Sequence, residues 1–110
     1  MVYQLGAPLL DACVLAALVG DDAYGYVLTK RVQSVIDISE STLYPVLRRL
    51  QKDGLLLTYD RPEAGRNRRY YSLTDEGRGR LDYYRREWKE YKDRIDNLLG
   101  GEAYEQRELS

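Results

Sequence analysis

The stretch SESTLYPVLRRLQKDG, Ser39–Gly54, decides the fold. Leu43, Leu47 and Leu50 recur at helical spacing and form an inward stripe. Thr42, Tyr44, Arg48, Arg49 and Lys52 fall mostly off that stripe and face outward. Ser39 or Ser41 qualifies as the N-cap, and Asp53-Gly54 stops the helix. Pro45 is expected near the first turn, since deeper in a helix it deletes a hydrogen bond and clashes. The segment therefore predicts a short helix that shows hydroxyls, a tyrosine and arginines to its surroundings.

Two helices precede it. In Leu9–Leu18, the residues Leu10, Val14, Ala17 and Leu18 share one face. Gly20-Asp21-Asp22 ends that helix and offers an aspartate to cap the next. From Tyr24 to Ile36, the stripe is Leu28, Val32, Val35 and Ile36, and Asp37–Ser39 makes a tight turn. Downstream, Leu55–Asp60 and Arg68–Leu73 read as strands. The polar turn Arg61–Asn67 joins them into a β-hairpin. Thr74-Asp75-Glu76 opens a last helix with a hydroxyl cap and two acids at its positive end. In it Leu81, Tyr84, Trp88, Tyr91, Ile95 and Leu98 are spaced 3, 4, 3, 4, 3, the seam of a coiled coil. Gly100-Gly101 stops it, and Glu102–Ser110 is polar.

The expected fold is mainly α with a small β-hairpin, a winged helix-turn-helix plus a long C-terminal dimerisation helix. Residues 1–73 form the winged unit, 74–100 the dimerisation helix and 101–110 a flexible tail. Two copies pairing along the seam make a homodimer, because a strict seam on one helix asks for a partner surface that a small domain does not offer.

Composition narrows the chemistry. The chain has 110 residues, room for one ordinary domain. It has no histidine, which removes the commonest general base, and with a single cysteine it cannot build a usual zinc site. No nucleophile–base pair is visible, so an enzyme is not expected, nor is a metal or other cofactor. Cys13 sits in the longest apolar run, Cys13–Val19, which is far shorter than the roughly 20 residues a bilayer needs. No membrane partner is expected, and the start lacks the pattern of a signal peptide. A cytoplasmic protein is the expectation. Net charge is −1, yet residues 29–70 hold nine bases against five acids, between acidic flanks. A basic middle on an acidic molecule points to one anion-facing surface.

Each feature also has a plainer reading. Arg48, Arg49 and Lys52 fit an ordinary solvated helix face, and Tyr44 fits packing on the body. Arg61, Arg66, Arg68 and Arg69 fit protection of a short hairpin from edge pairing. The conjunction favours double-stranded DNA, since this fold brings a basic helix and a basic wing to one side. The competing class is a winged-helix module that covers a protein partner without touching DNA. Salt separates the two, because phosphate binding weakens steeply with ionic strength.

At Ser41-Thr-Leu-Tyr-Pro-Val-Leu-Arg-Arg-Leu50 and the following Gln-Lys-Asp-Gly-Leu55, the sequence strongly resembles the PadR family of transcriptional regulators. Ala23-Tyr-Gly-Tyr26 and Gly65-Arg-Asn-Arg-Arg-Tyr-Tyr-Ser-Leu-Thr74 agree, and the match runs from about residue 5 to residue 100. The resemblance implies a homodimeric repressor on a pseudo-palindromic operator, with release by a small aromatic effector as a further expectation. By position it implies DNA contacts from Tyr24, Lys30, Ser41, Thr42, Tyr44 and Arg48, and phosphate contacts from Arg66, Arg68 and Arg69 on the wing. Trp88 falls where multidrug-sensing members stack flat aromatic ligands; as a seam residue it equally fits dimer core. The candidate effector site is Trp88, Tyr84 and Tyr91 with Leu10 and Val14. Lys92 stands where such sensors would use an acid, which leaves anionic or phenolic aromatics as the expected ligands.

Overall fold

A computed structural model describes residues 6–100. In chain order the elements are α1 (Ala7–Ala16), β1 (Ala23–Tyr24), α2 (Gly25–Gln33), α3 (Glu40–Lys52), β2 (Leu56–Glu63), β3 (Arg66–Leu73) and α4 (Asp75–Leu99). The expected tail, 101–110, lies outside the described residues.

Helix α1 is apolar all round except at Asp11, so it packs on two sides. Val14, Leu15 and Leu18 enter the core, while the opposite face meets α4. The helix ends at Ala16, two residues earlier than the stripe predicts. Its last turn tightens, with Leu18 N–H and Val19 N–H donating to carbonyls three residues back. Leu18 thereby stays buried. Arg31 donates to the Ala17 carbonyl at 3.0 Å, so this base holds the α1–α2 connection.

Helix α2 is shorter at both ends than expected. Its N-cap is Tyr24, without a side-chain cap bond, and neither aspartate serves. Ala23 and Tyr24 form instead a two-residue strand paired antiparallel with β3, Ala23 opposite Tyr71 and Tyr24 opposite Tyr70. At the other end the helix stops at Gln33, whose side chain donates to the Ile38 carbonyl and closes the turn. That turn swings Val35 out to 66 % exposure, so Val35 is not part of the stripe; Ile38 packs against the core in its place.

The recognition segment folds as read. Leu43, Leu47 and Leu50 are fully buried, and Ser39 caps α3 by accepting from Thr42 N–H at 3.2 Å. Pro45 lies in the second turn, not the first, on the outward side of the helix. Past Lys52, Gly54 N–H donates to Gln51 and Leu55 N–H to Leu50, a glycine-closed end with Gly54 at φ +80°.

The wing differs most from expectation. The seven-residue turn does not exist. β2 and β3 run in register from Leu56 opposite Leu73 to Glu63 opposite Arg66, closed by two residues, Ala64 and Gly65, both at positive φ. The sheet order β1-β3-β2 leaves β2 at an edge, where Pro62 lacks no ladder bond that matters. Arg61, Arg66, Arg68 and Arg69 therefore stand on paired strands, their directions alternating across the sheet.

Thr74 joins the wing to α4. Its Oγ1 accepts from Gly77 N–H at 2.9 Å and donates to the Gly54 carbonyl at 2.7 Å. Its backbone N–H donates to Leu55 at 3.2 Å. Gly77 is buried against that junction, and Leu81 and Tyr84 then pack on the core. Leu81 is only 3 % exposed within one chain, so it is not available to a second copy; the seam's first step is intramolecular. Beyond it Trp88, Tyr91 and Leu98 are exposed and Ile95 is half-buried. The architecture is a winged helix-turn-helix with a projecting C-terminal helix.

Candidate nucleic-acid interface

Along α3, Ser41, Pro45, Arg48 and Lys52 recur on the outward face, with Tyr44 on one shoulder and Thr42 on the other. All are exposed. At the helix start, the Ser39 hydroxyl lies 3.1 Å from that of Ser41 and 2.9 Å from that of Thr42. Three hydroxyls thus cluster at the positive end of the helix, a setting suited to phosphate oxygens.

Arg49 departs from this group. It donates to Asp11 on α1 at 2.6 Å, and Asp11 is 5 % exposed. The hydrogen bond to Asp11 raises the Arg49 pKa further above its ordinary value. Arg49 is therefore a strut between α3 and α1, and the basic patch is smaller than the sequence count indicates.

Tyr71 of β3 lies between helix and wing, and no local pattern singles it out. Its half-buried hydroxyl is pushed to higher pKa by burial, with Arg69 and Arg48 both near enough to pull the other way. Arg48 of α3 and Arg69 of the wing are thus both near Tyr71. Arg66 is exposed beside the turn and makes no ion pair among the described residues. Arg69 lies 3.6 Å from Asp60, both well exposed, a pair that competes little with phosphate. Lys30 sits over the Tyr26 ring at 5.3 Å, with its ammonium outward on α2. Tyr24 and Arg68 are half-buried and face each other, the guanidinium 4.4 Å over the ring.

A second feature lies between α1 and α4. A cavity of about 310 Å³ is walled by Pro8, Leu9 and Ala12 on one side and Tyr84, Trp88 and Tyr91 on the other. The Trp88 and Tyr91 rings meet at 6.2 Å, tilted by 40°. Leu10 and Val14, the expected α1 contribution, do not line it: they turn into the core, because α1 is apolar on every side and periodicity does not say which face α4 covers. Lys92 is occupied with Asp96 at 3.6 Å, and among the described residues the one charged group in the wall is Glu87. Glu87 is the residue before Trp88. Cys13 is half-buried, and burial pushes its thiol up, as an inert thiol should be. No group of three acidic or cysteine side chains that would hold a metal occurs among the described residues, and no described helix is long and apolar enough to cross a membrane.

Comparison with known proteins bears on this geometry. The model of the family described as "Transcriptional regulator PadR-like family" matches residues 14–83. The solved structure of smu.1704 from Streptococcus mutans UA159 superposes with a TM-score of 0.85 at 42 % identity, over 92 % of this chain and 95 % of that one. A PadR family transcription regulator from Clostridium difficile R20291 superposes at 0.77 with 31 % identity, over 83 % and 98 %. The transcriptional regulator Rv3488 of Mycobacterium tuberculosis is 42 % identical over 67 residues, 61 % of this chain and 60 % of that protein.

Proposed function

The chain belongs to the PadR-like family of transcriptional regulators, and on that premise we propose that it represses transcription as a homodimer on a pseudo-palindromic operator. It is a DNA-binding regulator. The finer reading is that α3 of each copy enters a major groove while Arg66 and Arg69 of the wing meet flanking phosphates. One observation supports it: Arg48 of α3 and Arg69 of the wing both lie near Tyr71, close enough for helix and wing to meet a single duplex. Within α3, Ser41, Thr42, Tyr44 and Arg48 are the base- and phosphate-reading groups, and Lys30 adds a contact from α2.

The dimer forms along the outer half of α4, where Trp88, Tyr91, Ile95 and Leu98 continue the seam past the intramolecular contact. Two copies joined there aim two recognition helices at half-sites about one or more turns apart. A small aromatic effector fits the cavity between α1 and α4, and Glu87 favours a ligand that brings a donor or a positive charge. Binding there shifts α4 against α1 and so changes the spacing of the two heads. Such a regulator works in the cytoplasm, beside the transcription it controls.

The test is footprinting on DNA upstream of the coding sequence, followed by affinity against salt. Arg48→Ala and Arg66→Ala are each expected to shallow the log–log salt slope by about 0.9. Unchanged slopes in both variants refute the assigned surface. Trp88→Ala is expected to shift the monomer–dimer equilibrium toward monomer, and an unchanged equilibrium by analytical ultracentrifugation refutes the α4 interface.

A further inference from the structure

The wing reaches the body through little backbone. β1 offers β3 two residue pairs, Ala23 with Tyr71 and Tyr24 with Tyr70, and β2 lies on the far edge. Side chains supply the rest. Tyr59, Tyr70, Tyr24 and Tyr26 form a continuous run of rings, with centroids 5.6, 5.8 and 6.5 Å apart, from β2 across β3 to the start of α2. Tyr59 donates to Asp22 at 2.6 Å, fastening the outer strand to the α1–α2 turn, and Tyr70 donates to Glu63.

Arg68 is placed inside this run. Its guanidinium covers the Tyr24 ring at 4.4 Å, while Glu63 holds it from the other side at 3.5 Å. Only 26 % of its side chain is exposed, against 63 % for Arg69. Its Nε is shielded from solvent and lacks hydrogen-bond geometry to any described group. A phosphate-binding arginine needs an open guanidinium edge; this one presents its face to a ring and its charge to a carboxylate.

We infer that Arg68 is a positioning residue: clamped between Tyr24 and Glu63, it fixes the wing on α2 so that Arg66 and Arg69 meet the duplex, and it does not itself bind phosphate. The inference rests on the proposed wing–DNA contact. It accounts for why Tyr24, on a two-residue strand, carries an aromatic ring: the ring is the seat for the clamp. A guanidinium over a ring is attractive even where partly wet, and planar stacking suits arginine better than lysine.

The experiment measures affinity of the full chain for a 30-base-pair duplex of arbitrary sequence, on which wing phosphate contacts are available at any register, by fluorescence anisotropy at fixed salt (about 50 mM, where counterion release favours binding). Arg68→Ala and Tyr24→Leu are each expected to weaken binding about tenfold, and Tyr24→Phe to stay within twofold of the parent. In an Arg66→Ala/Arg69→Ala background, adding Arg68→Ala or Tyr24→Leu is expected to change affinity by less than twofold. General loss of structure weakens binding in either background, so this epistasis isolates positioning. Hydrogen exchange at Ala23 and Tyr24 should quicken in Arg68→Ala while α3 stays protected. An additive effect of Arg68→Ala in the double-variant background overturns the inference, as does a wild-type-like Tyr24→Leu. If Arg66→Ala/Arg69→Ala binds as the parent does, the wing contact itself is wrong, and the clamp falls with it. Should Arg68→Ala fail to fold, the two Tyr24 variants decide alone.

Discussion

The same substitution at two glycines only two residues apart should have opposite signs. Gly77 and Gly79 both lie in the first turns of α4. A Cβ at Gly77 meets the Leu55 carbonyl oxygen at 2.2 Å and Leu73 Cδ1 at 2.7 Å, whereas one at Gly79 meets nothing within 4 Å. The first obstacle is backbone and does not rotate away. It is also the acceptor of Thr74 N–H, so displacing it strains the joint between wing and α4. Overpacking of this kind costs about 3 kcal/mol; the better helix propensity of alanine returns about 1 kcal/mol. Gly77→Ala is therefore expected to be destabilised by about 2 kcal/mol, a fall of roughly 10 °C in Tm for a domain of this size. Gly79→Ala collects the propensity gain alone, about 1 kcal/mol or roughly 5 °C. The assay is thermal unfolding by circular dichroism at one protein concentration, since dimerisation makes Tm concentration-dependent. A Gly77→Ala protein as stable as Gly79→Ala refutes the close approach of α4 to Leu55.

Three other outcomes follow from buried or hydrogen-bonded polar groups. Arg49→Gln strands the buried Asp11 carboxylate; with half of the Arg49 side chain in solvent, the loss is about 1–2 kcal/mol. Asp11→Asn in the same chain should recover part of it, and a coupling under about 0.5 kcal/mol in the double-mutant cycle counts against the strut. Hydrogen bonds to Asp22 and Glu63 raise the Tyr59 and Tyr70 hydroxyls, and burial raises Tyr71. Because these folded-state values lie above the unfolded value of about 10, the stability they contribute is complete below that pH and is lost as pH climbs through the folded values. Ultraviolet titration should show these three of the eleven tyrosines ionising late, with unfolding midpoints level up to about pH 9.5 and falling beyond; a single ionisation step at the ordinary value contradicts this. Thr29 Oγ1 is buried without a partner among the described residues, so Thr29→Val should stabilise the protein by about 1 kcal/mol. Urea unfolding that finds the variant less stable means the hydroxyl has a partner.

What the sequence made legible was whatever repeats at short range. Leu43, Leu47 and Leu50 announce α3 because one turn separates each from the next, and the α4 seam is visible for the same reason. Periodicity has nothing to say about a two-residue strand, so Tyr24 reads as the start of α2 when it belongs to β1. It also fails where a helix is apolar on every side: Leu10 and Val14 are no less apolar than Leu9 and Ala12, and only the packing against α4 shows which pair lines the cavity. The hairpin loop was overestimated because Pro62 and the charged residues around it look like a turn; an edge strand accommodates both. Long-range pairing left no local trace at all. Asp11 and Arg49 are 38 residues apart, and only the fold reveals that one of the bases on α3 turns inward. Tyr71 and Glu87 were missed likewise, each ordinary in its own segment and significant through its neighbours.

On the proposed reading of an operator by two copies, the Thr74 joint bears on the spacing of half-sites. One hydroxyl ties the foot of the long helix to the Gly54 carbonyl just past the end of α3, so the angle between α3 and the start of α4 is held at that corner. Adding a base pair between half-sites turns one groove away from the other by about a tenth of a helical revolution. A protein with a loose elbow absorbs that error; on the proposed dimer, a firm joint passes it to the duplex, so that the stiffness of the spacer would become part of what is recognised.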